Sequence, residues 1–460
     1  MNFFINLRNA LFISFILLAC KPAPNPKSDF LQWAKKGEII TVTCKSDISN
    51  TYQLYLPSNY SLEKSWPLVY CFDSHGDGNL PLNLLKGYAE NEGVILIGSN
   101  SSRNGLGAEE LSFIIEKLYN DTRAKLSIDE RRIYALGFSG GARVACSMAL
   151  TYQNISGVIA CSAGYRPATG QPAFNFIGIA GTLDMNCQEM KQIEAALNNF
   201  LVRHELILFN GKHQWPLSIL LEKAISDLEI MNMANGKFKI NESAVNSRFD
   251  ESLSQIISCV SSSNIDSLLM AERLVNNAKE VFGGLKDISE LNLLKDKLLK
   301  NPLYALAKET YQKIEQQESQ KQQVYGNAIR EQSLGWWMDE IQKLNKIKLK
   351  NTESPQSQSA YRLLAYISLM SYSYVNSAIQ QHDWASSEHF LKIYGLADPE
   401  NPDYHYFNAC YLAQTGKNKE AYHSLQLAVK FGFSDKSKLE HDPLLAGINK
   451  EFNLSDLYQK

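Results

Sequence analysis

Two kinds of hydrophobic pattern alternate between residues 37 and 228. IITVT (39–43) and TYQLYLP (51–57) switch between apolar and polar positions, as half-buried strands do. Six later runs are apolar almost throughout: PLVYCF (67–72), GVILIG (93–98), RIYALGF (132–138), ISGVIAC (155–161), FNFIGIAG (174–181) and ELILFNG (205–211). Continuous runs of this length suit parallel strands covered on both faces. Helix-compatible stretches separate them, as at 107–124 and 187–202. Strand and helix in series predict a doubly wound, mostly parallel α/β sheet. From about residue 229 the strand-like runs stop and long amphipathic stretches take over, with Leu303, Leu306, Thr310 and Ile314 at helical spacing. The chain therefore reads as an α/β unit (37–228) followed by an all-α half (229–350 and 351–460).

The last part has a repeating character. Residues 401–433 read as helix, turn at Gly416, helix. Tyr404, Asn408, Ala409, Tyr411, Leu412, Gly416, Ala421, Leu425 and Ala428 resemble a tetratricopeptide repeat (TPR). Residues 385–403 look like the second helix of a preceding repeat whose first helix falls within 360–378, and 433–448 resembles the tail that follows a last repeat. Residues 240–350 are helical without an assignable repeat register. A TPR-like half would offer a groove to a protein partner. The Lys/Glu/Gln run 312–323 reads as a solvated helix face, and Trp336-Trp337 as core.

The first twenty residues are read apart from the fold. Arg8 precedes the apolar run ALFISFILLA (10–19), which has the length of a signal-peptide core and is short for a membrane span. Leu17-Leu18-Ala19-Cys20 resembles a bacterial lipobox. That resemblance implies cleavage before Cys20, a lipid on its thiol, and an exported protein anchored to a bacterial membrane, periplasmic or at the cell surface. The Pro-rich stretch 21–36 is expected to be an extended spacer.

Length and composition add limits. A chain of 460 residues leads us to expect two domains, and a net charge of −2 gives no support for a nucleic-acid partner. The cysteines form no CxxC pair, so no zinc site or redox motif is expected. Cys71 and Cys161 lie in apolar runs and read as small buried hydrophobes.

The chemistry gathers around GFSGG (137–141). A G-x-S-x-G turn needs a strand before it and a helix after it, so that small neighbours permit the turn and expose the serine Oγ. RRIYAL and ARVACSMALTY supply both, which makes Ser139 a candidate nucleophile. His213 directly follows the last strand-like run, where a base would stand. His204 precedes that run, at the wrong end of the sheet, and reads as a surface residue. Asp184 follows the preceding run and can orient His213. Its competing role is to cap the helix starting near Cys187. Asp73 is the runner-up acid. The backbone N–H of Gly140, at a helix start, is one candidate oxyanion donor. Arg103 and Trp215 are candidates for lining a substrate pocket, and Arg143 reads as packed or ion-paired.

Together YQLYLPSNY…WPLVYCFDSHGDG, RIYALGFSGGARVA, AGTLDMN and GKHQWP resemble α/β-hydrolases of the polyhydroxyalkanoate-depolymerase and feruloyl-esterase-like group. His213-Gln214-Trp215-Pro216 is the most group-specific piece, while the DSHGDG loop departs from the pattern. His75-Gly76 resembles the His-Gly of many esterases, which would make the Asp77 N–H the second oxyanion donor; a carboxylate there opposes an oxyanion, so either the Asp77 side chain points away or the donor is another residue of the DSHGDGN loop. The resemblance implies a serine hydrolase that cleaves carboxylic esters with Ser139, His213 and Asp184, needing no metal and no organic cofactor. Two other readings stay open: a peptidase of the same fold, and a non-catalytic interaction protein. No lid insertion fits between the runs at 155–161 and 174–181, so the helical half is the one candidate to roof the site.

Overall fold

A computed structural model describes residues 26–167, 172–350 and 354–458. The leader 1–20 with Cys20, and residues 21–25 of the spacer, lie outside the described residues. Among the described residues eight strands form one sheet: β1 (Ile39–Cys44), β2 (Asp47–Tyr55), β3 (Trp66–Phe72), β4 (Ile95–Ser99), β5 (Ile128–Phe138), β6 (Ile155–Cys161), β7 (Asn175–Gly181) and β8 (His204–Phe209). Their order is β1-β2-β4-β3-β5-β6-β7-β8, with β2 antiparallel to both its neighbours, β1 and β4, and the other pairings parallel. This is the strand order of the α/β-hydrolase fold.

The apolar runs are continuous because both faces of the sheet are covered. Along β3, Leu68, Tyr70 and Phe72 enter one core, whereas Val69 and Cys71 enter the other. The first face carries α3 (Ala108–Lys125), α4 (Gly140–Thr151) and α5 (Cys187–Leu197). The opposite face carries α2 (Asn79–Glu92) and α6 (Ser218–Ala234). The chain passes from β3 to β4 on one side and returns to β5 on the other. That reversal opens a crevice at the carboxyl ends of β3 and β5, where ligands bind in such sheets.

Three expectations need correction. The stretch 26–33 is not an extended spacer but a helix, α1 (Pro26–Trp33). Proline is well placed to open a helix, and Phe30 buries itself against the α3 face of the sheet. The expected boundary at 228/229 falls inside α6, which continues to Ala234 because Glu229 and Asn232 are tied to the sheet. Arg132 and Tyr134 of β5 hold Glu229, and Asn175 of β7 holds Asn232. His204 is buried as the first residue of β8, with Nδ1 3.0 Å from the Val202 carbonyl.

Among the described residues ten further α-helices follow: α7 (Glu242–Val260), α8 (Ile265–Phe282), α9 (Ser289–Leu299), α10 (Pro302–Glu331), α11 (Leu334–Lys350), α12 (Pro355–Gln380), α13 (Trp384–Ala397), α14 (Pro402–Gln414), α15 (Asn418–Lys430) and α16 (Lys436–His441). Helices α12 with α13, and α14 with α15, pack as pairs. Gly416 makes the turn between α14 and α15 at φ +80°, where a side chain would be strained. The first of these helices do not stand apart from the sheet. Phe249, Val275, Phe282, Leu298 and Tyr304 belong to the same core as α2 and α6. A separate core begins at Tyr325 and holds the fully buried Trp337. The 30-residue α10 enters both cores. Among the described residues, no helix is long and apolar enough to cross a membrane.

Candidate active site

Ser139 stands between β5 and α4 with φ 54° and ψ −121°. A residue with a side chain rarely adopts this conformation, and holding it there costs roughly 1–3 kcal/mol. The glycines around it make the turn possible. A Cβ on Gly137 would fall 2.2 Å from the Gly141 carbonyl oxygen, and one on Gly141 would fall 2.1 Å from that of Phe72. The Ser139 N–H donates to the Cys161 carbonyl of β6 at 2.8 Å, which fixes the elbow to the sheet.

Three predicted residues meet here. His213 Nε2 is 2.9 Å from Ser139 Oγ, and Nδ1 lies 3.0 and 3.1 Å from the two carboxylate oxygens of Asp184. Asp184 is fully buried. It also accepts the Asn186 N–H at 2.8 Å, so it shapes the entry to α5 while facing His213. The loops that carry acid and base interlock. The Leu183 N–H donates to the Gly211 carbonyl, and a Cβ on Gly181 would meet that same oxygen at 2.3 Å. Chemically, this arrangement can remove a proton from a serine hydroxyl and hold the resulting imidazolium beside a carboxylate.

Asp77 does not sit beside Ser139. Its carboxylate accepts the Asn79 N–H in the first turn of α2, and the adjacent Gly78 packs on Gly98 of β4, across β3 from the elbow. The backbone nearest the start of α4 is the end of β3: the Asp73 carbonyl carbon lies 3.2 Å from a Cβ built on Gly141. That carbon is bonded to the Ser74 nitrogen, which places Ser74 next to the start of α4. Asp73 and Ser74 directly follow β3.

Asn104 was not singled out by the sequence. Its N–H donates to the Ser74 carbonyl at 2.8 Å, and its amide oxygen would lie 1.8 Å from a Cβ on Gly140. A side chain at 140 would push that amide aside. Arg103 next to it is exposed, with its Cβ near Gly76. Trp215 is half-buried and packs on Phe138 at 5.4 Å between ring centres, while Phe138 touches the His213 ring at 4.8 Å. Trp215 therefore backs the histidine through Phe138. Arg143 donates to the Gly164 carbonyl and pairs with Glu189.

The helical half reaches the site at two places. Asp73 raises the pKa of His75, with Asp403 of α14 adding to that effect and Lys438 of α16 opposing it. Burial in turn raises the Asp403 carboxyl. Arg362 of α12 donates to the Thr182 carbonyl, two residues before Asp184, at 2.6 Å. All seven described cysteines are free thiols. Burial raises the Cys71 and Cys161 thiols. Among the described residues no three His, Cys, Asp or Glu side chains are placed to hold a metal ion.

Comparison with other proteins gives structural likeness only. No family model matches the sequence, and no curated protein matches it. Similar solved structures include an S-formylglutathione hydrolase from Staphylococcus aureus (12% identity, TM-score 0.36), covering 42% of this chain and 98% of that one. A ferulic acid esterase is 14% identical with a TM-score of 0.35, over 41% of this chain and 95% of its own. An esterase from Pyrobaculum calidifontis is 13% identical with a TM-score of 0.34, over 45% and 91%. These figures are too low to assign a reaction, and the fold assignment rests on the strand order above.

Proposed function

We propose that the protein is a serine hydrolase that cleaves carboxylic esters through an acyl-enzyme. The observation that carries this is the strained Ser139 (φ 54°) with His213 Nε2 2.9 Å from its hydroxyl. A serine in an ordinary turn has no reason to bear that strain, whereas a nucleophile presented at the end of a strand does. Ser139 Oγ attacks the acyl carbon as His213 Nε2 takes its proton. The imidazolium then donates through Nδ1 to Asp184 and passes the Nε2 proton to the leaving alkoxide. Water repeats the sequence to release the acid. The N–H groups of Gly140 and Ser74 are the pair we assign to the developing oxyanion, with α4 contributing the positive end of its dipole.

The test is labelling with a fluorophosphonate probe. Wild type should be labelled and Ser139→Ala should not, and ester hydrolysis should disappear with the label. Equal labelling of the two would refute the assignment. A panel of matched ester and amide substrates then separates an esterase from a peptidase.

We further propose that Cys20 carries a lipid and holds the enzyme at a membrane. The support is the lipobox-like Leu17-Leu18-Ala19-Cys20 after a short apolar run. Incorporation of labelled palmitate should be lost in Cys20→Ser, and the protein should move from the membrane to the soluble fraction. Retained palmitate would refute this.

A further inference from the structure

A buried ion pair lies where the helical half meets the sheet. Arg362 of α12 binds Glu318 of α10 through Nε at 2.8 Å and Nη2 at 2.5 Å. Their side chains are 6% and 0% exposed. A guanidinium has donors beyond those that a bidentate carboxylate takes. Here Nη1 leaves the helical half and donates to the Thr182 carbonyl at 2.6 Å.

Thr182 begins the loop that presents Asp184. Its own N–H donates to the Phe209 carbonyl at 2.8 Å, and the next N–H, of Leu183, to that of Gly211. This loop thus rests on the His213 loop from inside the sheet unit and on Arg362 from outside it. Two more ion pairs fasten the helix that follows Asp184. Lys191 of α5 pairs with Glu315 of α10, and Glu194 of α5 pairs with Arg273 of α8 at 2.7 Å. The acid of the site therefore sits on a segment attached to the helical half at both ends.

We propose that Arg362 is a positioning residue for Asp184, held in aim by Glu318, so that the helical half is part of the hydrolytic site. The proposal rests on the serine-hydrolase reading above. Carboxylate and imidazole must keep their alignment through the proton transfers. A charge-assisted bond to the backbone beside Asp184 supplies rigidity that the sheet loops alone do not.

The experiment uses the full chain. Arg362→Met strands a buried Glu318 and risks unfolding, so it is paired with the double variant Arg362→Met/Glu318→Leu, which removes both charges and keeps the volume. Active sites are counted by labelling to completion with fluorophosphonate, and p-nitrophenyl acetate hydrolysis is expressed per labelled site. In the double variant kcat per site should fall by roughly 10- to 100-fold, with KM within about twofold. The low-field proton resonance of His213 Nδ1–H should move upfield or broaden. A kcat per site within about twofold of wild type, or a loss confined to the number of labelled sites, overturns the proposal. If wild type itself shows no Ser139-dependent labelling, the hydrolase reading has failed instead. The resonance needs no turnover, so it still tests the positioning, and an unchanged signal in the double variant overturns that too.

Discussion

Asp184→Asn tests the site by changing one atom type. In wild type Oδ1 serves the Asn186 N–H at 2.8 Å and faces His213 Nδ1 at 3.0 Å, with Oδ2 at 3.1 Å from the same nitrogen. An asparagine keeps one oxygen, which the Asn186 N–H claims, and turns its NH2 towards His213. That NH2 only donates, so Nδ1 must accept and the ring proton must move to Nε2. Nε2–H then points at Ser139 Oγ and can no longer take its proton. The loss expected for a wrong tautomer is about ten-thousand-fold in kcat, or about 5.4 kcal/mol of transition-state stabilisation at 1.36 kcal/mol per decade. The fold should survive, because the shape is unchanged and the buried charge is removed rather than stranded. The assay is ester hydrolysis at pH 7.5, with the fluorophosphonate labelling rate and a urea unfolding curve on the same sample. A folded variant that keeps activity within tenfold of wild type would refute the role of Asp184.

Three other outcomes follow from the same geometry. Ser139→Gly should gain about 1 kcal/mol in urea unfolding, since relief of the φ 54° strain outweighs the extra chain entropy of glycine; a loss of stability would mean that the elbow stores no strain. Gly141→Ala should lose about 3 kcal/mol in the same measurement and most of the activity, because its Cβ would meet the Phe72 carbonyl at 2.1 Å; wild-type behaviour would mean that β3 and α4 are not held that close. The Glu205 carboxyl, buried in a cluster with Lys223 and Asp227, is pushed up to about 7 by burial, with Lys223 opposing that rise and Asp227 adding to it. A raised folded-state pKa contributes stability that is complete below the unfolded value of about 4.3 and lost as pH rises through 7. The melting temperature of wild type relative to Glu205→Gln should therefore fall between pH 5 and pH 8, and a constant difference would refute this.

The sheet was legible because each buried strand needs apolar residues on both faces, and such runs stand out against polar connections. The pairing of Ser139 with His213 and Asp184 was legible from chain order, since each follows a strand whose carboxyl end opens on the same crevice. What stayed hidden depended on partners distant in sequence. Glu318 lies in a run of Lys, Glu and Gln that reads as solvated, and only Arg362, 44 residues later, makes it a buried group. Asn104 sits in a Ser/Asn/Gly loop of no evident pattern and acquires meaning from its approach to Gly140. The α1 helix was missed because the prolines at 22, 24 and 26 suggested an extended spacer, although Pro26 opens the helix and Phe30 anchors it.

The two cores that share α10 give the molecule an unusual seam. At about 1.5 Å per residue the helix runs about 45 Å, with Tyr304 held in the core beneath the sheet and Tyr325 in the next. A seam of this kind is a rigid rod rather than a tether. Loosening one core frays the helix on which the other is built, so heat or denaturant should find a single cooperative transition where a jointed pair of modules would show two. Proteases should find no site of easy cleavage along it. The halves are then not interchangeable parts, and a recombination event that joined this α/β unit to another helical array at residue 235 would remove a wall of its own core.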